Sequence, residues 1–355
     1  MNFIYQARPA RVVFGAGSLQ HLEREVLELG AQRALVLCTP EQRDLAQRIV
    51  ERLGAHAAGL YDRATMHVPI EIARDARAVA RSCDADCAIA IGGGSTIGLG
   101  KAIALESSLP ILAIPTTYAG SEMTPIYGLT DGGLKRTGTD ARVLPKTVIY
   151  DPELTVTLPV ELSVTSGINA IAHAAEGLYA NNANPVMSLV AEEGIRALAR
   201  GLPGVRRNPA DIDARGDALH GAWLCGMVLG NVGMALHHKL CHTLGGSFNL
   251  PHAPTHTVVL PHTLAYNAAH APDAMRRIAR ALGTNDAARG LYALALDNGA
   301  PVSLKAIGMQ EADLERAADL AAANPYWNPR PIERDGLRAL LQDAFDGNLP
   351  GTTVR

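Results

Sequence analysis

Between residues 12 and 150 the chain alternates short β-branched runs with longer stretches of helical spacing. Val12-Val13-Phe14 leads into Gly15 and Gly17, Ala34 to Cys38 into Thr39-Pro40, Ala88 to Ile91 into Gly92, and Ile111 to Ile114 into Pro115-Thr116-Thr117. Continuous apolar runs of this length suit strands covered on both faces by crossover helices, which predicts an open, mostly parallel sheet. The pattern changes after Val148-Ile149-Tyr150. Apolar residues then recur at helical spacing over 160–181, 185–201, 211–235, 237–248, 272–282, 285–298, 310–323 and 331–345, with Gly, Asn and Pro between them. The expected fold is an α/β amino-terminal domain with a mostly parallel sheet over residues 1–158 and an all-α carboxy-terminal domain over 159–355.

Composition agrees with two domains. A chain of 355 residues, 48% hydrophobic and 19% charged, is larger than one hydrophobic core normally serves. A net charge of -3 supplies no positive field for nucleic acid or an anionic membrane, so both are excluded as expected partners. No apolar run approaches the roughly 20 residues that cross a bilayer, and no secretory leader is apparent; a cytoplasmic location is the expectation. The five cysteines are scattered without a CxxC pair, which predicts reduced thiols rather than disulfides or a thiolate zinc site.

The first candidate site is Gly92-Gly93-Gly94-Ser95-Thr96, between a strand pattern and the apolar segment that starts at Ile97. Glycines let backbone approach a pyrophosphate, and a following helix aims free amide donors at the same charge. Thr116, Thr117 and Ser121, after the next strand, stand at the carboxyl edge where ligands gather in open sheets. Thr39 occupies the position where an acidic residue would hold the adenine ribose and repel a 2′-phosphate, so use of both NADH and NADPH is predicted.

The second is a histidine constellation. His238 and His242 share a helix face, and Gly245-Gly246 with Pro251 is expected to bend the chain and return His252 towards them. Asn169 and His173 form another four-residue step on an earlier helix.

With Lys146 before Asp151-Pro152-Glu153, the segment Gly167 to Glu176, and the block His238 to His252, these motifs resemble the iron-containing alcohol dehydrogenase superfamily over nearly the whole chain. In metal-dependent members the ligands are an aspartate and three histidines, positions that correspond here to Asn169, His173, His238 and His252; His242 corresponds to a further active-site histidine. The resemblance places Lys146 near the cofactor and implies a homodimer. Asparagine at 169 removes the only anionic ligand, so no tightly bound metal is expected. The Ser166 to His173 pattern, the doubled His237-His238 and the tail Asn324 to Arg334 are similar to the maleylacetate reductase branch. That likeness implies NAD(P)H-dependent reduction of the activated carbon–carbon double bond of maleylacetate, giving 3-oxoadipate in bacterial degradation of aromatic and chloroaromatic compounds.

On this reading His238 and His242 supply hydrogen bonds or a proton to an enolate, His173 and His252 complete the pocket, and Asn169 orients. A dicarboxylate substrate needs cationic partners, for which Lys239, Arg330, Arg334, Arg136 and Arg142 are candidates. Tyr118 and Tyr127 either line the nicotinamide side or belong to the core. Three rivals stand beside it: a metal-dependent alcohol or polyol dehydrogenase of the same fold, a dehydroquinate-synthase-like lyase, and a dinucleotide sensor without chemistry.

Overall fold

The structure is a computed structural model that describes residues 3, 5–7, 10–132, 134–323 and 326–351. It divides into two compact units, Ala7–Leu158 and Pro159–Arg355; Phe3, Tyr5 and Gln6 group with the second. Asn324 and Pro325, part of the tail noted above, lie outside the described residues.

In the α/β unit the elements run β1 (Arg11–Phe14), α1 (Leu22–Glu28), β2 (Ala34–Leu37), α2 (Arg43–Leu53), β3 (Ala57–Tyr61), α3 (Ile70–Ser82), β4 (Cys87–Gly92), α4 (Gly94–Ser107), β5 (Ile111–Pro115), β6 (Ile126–Asp131), β7 (Leu134–Thr139) and β8 (Thr147–Tyr150). Six strands form a parallel sheet in the order β1-β8-β5-β4-β2-β3. Alternation along β2 explains why its sequence is apolar throughout. Leu35 and Leu37 enter the layer with Ala73, Ala76, Leu99 and Ile103. Ala34 and Val36 enter the opposite layer with Leu22, Val26, Ala46 and Ile49.

Two features of this unit escaped the sequence pattern. β3 reads Ala-Ala-Gly-Leu-Tyr, too poor in β-branched residues to signal a strand, and forms as the edge partner of β2. β6 and β7 make an antiparallel hairpin, in register from Ile126 opposite Thr139 to Asp131 opposite Leu134.

The second unit contains α5 (Val160–Leu178), α6 (Pro185–Arg207), α7 (Ile212–Asn231), α8 (Leu236–Phe248), α9 (His252–Asn267), α10 (Pro272–Leu282), α11 (Ala287–Asp297), α12 (Leu314–Ala322) and α13 (Arg334–Asp346). α6 and α7 cross so closely that a Cβ on Gly201 would lie 2.5 Å from the Ala218 amide nitrogen. No single helix among the described residues is long and apolar enough to cross a membrane.

One expectation is corrected here. Gly245-Gly246 does not bend the chain but lies inside α8, where burial of Leu240, Cys241 and Leu244 outweighs about 1 kcal/mol of lost propensity per glycine. The turn falls at Asn249, in the left-handed region at φ 55°, and His252 is the first residue of α9, a helix that the apolar spacing missed. Three prolines obscured it. Pro251 is the N-cap and Pro254 lies in the first turn, where no hydrogen bond is lost; Pro261 is carried inside.

Candidate active site

The carboxyl ends of β2, β4 and β5, three adjacent strands, bring Thr39, Gly92 and Thr116 to one edge of the sheet. Gly92 sits at φ +145°, and a Cβ there would lie 2.5 Å from Gln42 Oε1 and 2.6 Å from Thr96 Oγ1. Only glycine leaves that space open. α4 starts directly afterwards, its N-cap Gly93 offering no side-chain cap, and the buried Thr96 hydroxyl has no hydrogen-bond partner among the described residues. Free amides, an unpartnered hydroxyl and an uncovered backbone fit a pyrophosphate at the positive end of a helix.

The second loop is held from behind. Lys101, on α4 and 1% exposed, donates to the carbonyls of Ser121 (2.7 Å), Thr124 (2.9 Å) and Ile126 (2.7 Å) and to Thr124 Oγ1 (2.9 Å). Burial pushes its ammonium down to about 7, against the pull of Glu122. Gln42 Nε2 donates to Thr116 Oγ1 at 2.7 Å, tying the turn after β2 to the loop after β5. Gln42 and Lys101 hold this edge together, and nothing in the local pattern singled them out: each acts on a partner distant in sequence.

Lys146 is corrected. It precedes β8, and its amide donates to the carbonyl of Ile111, the first residue of β5. It therefore lies at the amino edge of the sheet, about 13 Å from the carboxyl edge that carries Gly92 and Thr116, at the rise of a five-residue strand. A lysine side chain does not span that distance.

In the helical unit, Asn169, His173 and Glu176 follow one another along a single face of α5, His238 and His242 lie one turn apart on α8, and His252 and His256 one turn apart on α9. The His173 and His238 rings stack with centroids 5.1 Å apart, His242 meets His238 edge-on at 6.2 Å, and His252 meets His256 at 4.4 Å. The cluster is graded in depth: His242 and His252 are exposed, His173 and His238 are buried, and His237 and His256 have no accessible surface. Burial, reinforced by the neighbouring imidazoles, holds His173, His237 and His256 well below the ordinary histidine range.

Glu176 organises this cluster, and the sequence reading gave it no role. Fully buried, it accepts the backbone N–H of Ala235 (2.9 Å) and His237 (2.7 Å) at the otherwise uncapped start of α8, and lies 2.7 Å from His238 Nδ1. A carboxylate on another helix thus caps α8 and sets the His238 tautomer. With its proton on Nδ1, neutral His238 presents a bare Nε2. That nitrogen, Asn169 Oδ1 and His173 Nδ1 are buried without partners among the described residues.

The other candidates fare differently. Tyr118 has no accessible surface, and the Tyr127 hydroxyl folds over Gly138, its partner across the hairpin. Arg136 pairs with Asp131, Arg142 with Asp140, and Arg334 with Glu315 and Asp319. The Arg330 guanidinium stacks 4.1 Å above the Tyr266 ring. Lys239 Nζ lies 5.7 Å from the Tyr326 ring, with no carboxylate partner among the described residues.

Residues 9–152 match the iron-containing alcohol dehydrogenase family, and residues 163–345 match the Fe-containing alcohol dehydrogenase family, C-terminal. The chain belongs to the iron-containing alcohol dehydrogenase family. It is 66% identical to a maleylacetate reductase of Burkholderia cepacia, across 98% of this chain and 99% of that one. It is 58% identical to a maleylacetate reductase of Pseudomonas knackmussii, across 99% of each. The crystal structure of a maleylacetate reductase from Agrobacterium tumefaciens superposes with a TM-score of 0.97 at 54% identity, covering 99% of this chain and 100% of that one.

Membership of an iron-containing family implies an iron ion, and the donors at the corresponding positions do not fit one. Asn169 contributes a neutral amide, and Glu176, the nearby carboxylate, is engaged by α8 and His238. Among the described residues, the ring nitrogens of His237 and His256 and the Cys241 sulfur lie within 4.8 Å of one another. Three imidazoles and an amide lack the anionic oxygen ligand that position 169 supplies in metal-dependent members, which weakens the hold on a divalent cation.

Proposed function

We propose that the protein reduces the activated carbon–carbon double bond of maleylacetate with NADH or NADPH, yielding 3-oxoadipate, and that it does so without a metal ion. The carrying observation is the buried imidazole cluster whose one engaged carboxylate, Glu176, orients His238 while an amide stands at position 169. The full-length likeness to maleylacetate reductases supports the substrate.

The reduced nicotinamide supplies a hydride to the alkene carbon β to the ketone. The electron pair of the double bond moves towards the ketone oxygen, which becomes an enolate. His238 meets that oxygen. Once a proton is taken up at its bare Nε2, the ring donates from that nitrogen, with the resulting positive charge balanced by the Glu176 carboxylate on Nδ1. His242, exposed and replenished from solvent, delivers the proton that the α-carbon takes as the ketone re-forms. His173 and Asn169 line the interior side, and His252 the exposed one. Lys239 holds a substrate carboxylate. Gly92 to Thr96, with Thr116 and Thr117, would hold the cofactor phosphates.

Thr39 leaves the ribose position neutral, so selectivity between the two cofactors stays below about a hundredfold. Chlorinated maleylacetates are accepted as well. A homodimer in the cytoplasm completes the reading, and mass in solution tests the assembly. The deciding assay compares maleylacetate with simple aldehydes and ketones, using both reduced cofactors, before and after exhaustive chelation. Turnover confined to maleylacetate and unchanged by chelation is expected; aldehyde reduction abolished by chelation would establish the metal-dependent dehydrogenase instead.

A further inference from the structure

His237 and His256 have no part in the chemistry above, yet both are fully buried beside it. His237 Nε2 and His256 Nδ1 lie 2.9 Å apart, so the two imidazoles share one proton. Its position is decided further along. The Thr263 hydroxyl donates to the Leu260 carbonyl at 2.9 Å, which leaves Thr263 Oγ1 to accept from His237 Nδ1 at 3.4 Å. With its proton on Nδ1, neutral His237 offers a lone pair at Nε2, and His256 must donate from Nδ1 to meet it. His256 Nε2 is then a bare lone pair, buried and without a partner among the described residues. The rings of His252 and His238 stand edge-on to His256, with centroids at 4.4 and 5.1 Å.

We infer that His256 is a positioning residue: the chain Leu260, Thr263, His237, His256 locks it as the Nδ1–H tautomer, so that its Nε2 is a fixed acceptor beside the edge-on rings of His252 and His238. An unpaired buried acceptor is costly, so its place beside the site histidines is specified by the fold rather than left to chance. Nothing in this device requires charge, which suits a place where burial keeps both rings neutral.

The competing use of these residues is a cation held by His237, Cys241 and His256. Two imidazoles on one tetrahedral ion at about 2.0–2.1 Å keep their nitrogens about 3.3 Å apart. The observed 2.9 Å is a direct hydrogen bond.

The role in turnover rests on maleylacetate being the substrate, but the tautomer does not, so the two are tested separately. In the full-length protein labelled with 15N-histidine, long-range proton–nitrogen correlation is expected to report His256 as Nδ1–H. Among variants, His256→Gln places an amide oxygen at the Nε2 position but gives up the bond to His237, and should keep kcat well above that of His256→Asn. His256→Asn keeps the bond to His237 but removes the acceptor, and should lower kcat at least tenfold with the KM for NADH within twofold. A melting temperature within a few degrees confirms that each variant is folded. An Nε2–H tautomer, an Asn variant at least as active as the Gln variant, or an equivalent of metal lost on Cys241→Ala would each overturn the assignment.

Discussion

In the α/β unit the proposed cofactor edge is made of backbone: three glycines, an uncapped helix start, and hydroxyls from two loops. In the helical unit the proposed catalytic cluster is made of side chains, with imidazoles from three helices held in order by one buried carboxylate. The difference follows from the task. A pyrophosphate needs many weak donors and close approach, which amides without a Cβ provide. Proton delivery needs one nitrogen in one protonation state, which depends on what each ring's other nitrogen touches. The first site should therefore fail through binding and the second through rate.

The strongest test of that contrast is His242→Ala, which should lower kcat by about a hundredfold or more while leaving cofactor affinity unchanged; single-turnover kinetics and a cofactor titration read the two separately. An equal loss in both would erase the distinction. Glu176→Gln should come next, with a fall in kcat of about 10- to 100-fold because the second nitrogen of His238 loses its anionic partner, and a drop in melting temperature as the α8 cap weakens. On the backbone side, Gly92→Ala meets Gln42 and Thr96 at a φ that alanine rarely adopts, so the dissociation constant for NADH should rise about tenfold, with kcat at saturation largely retained. Calorimetric titration checks it.

Acid should act mainly on the helical unit. His173, His237 and His256 are held neutral in the fold well below their ordinary range, and His262 is pushed down to about 4. The unfolded chain binds protons at these positions below about pH 6.5 and the native chain does not, so stability falls as pH drops from 7.5 to 5.5. Denaturant unfolding across that range should show the loss, with its slope reduced in His262→Gln. The smallest effect belongs to Lys146→Ala, which should leave the KM for NADH within twofold because that residue lies at the wrong edge of the sheet.

Much of the α/β unit was legible because strands covered on both faces carry uninterrupted apolar runs, and glycines before a helical pattern have few other uses. β3 was not, since an edge strand of Ala, Gly and Leu owes its form to its neighbour β2. α9 was hidden by prolines that a helix tolerates at its start, and whose interior member is compensated by tertiary packing. Lys146 shows the opposite failure: position in a motif said cofactor, and strand direction placed the residue at the far edge.

The sequence alone determined the alternation of strands and helices, the change to an all-helical second part, the glycine cradle and the grouping of histidines, because periodicity and spacing are local properties. Only the tertiary structure decided that Glu176 holds His238, that Lys101 and Gln42 brace the loop after β5, and that His237 points into a buried chain rather than the site. Each of these is a hydrogen bond between residues distant in sequence, and whether an imidazole gives or takes a proton is set by such partners and not by its place in the chain.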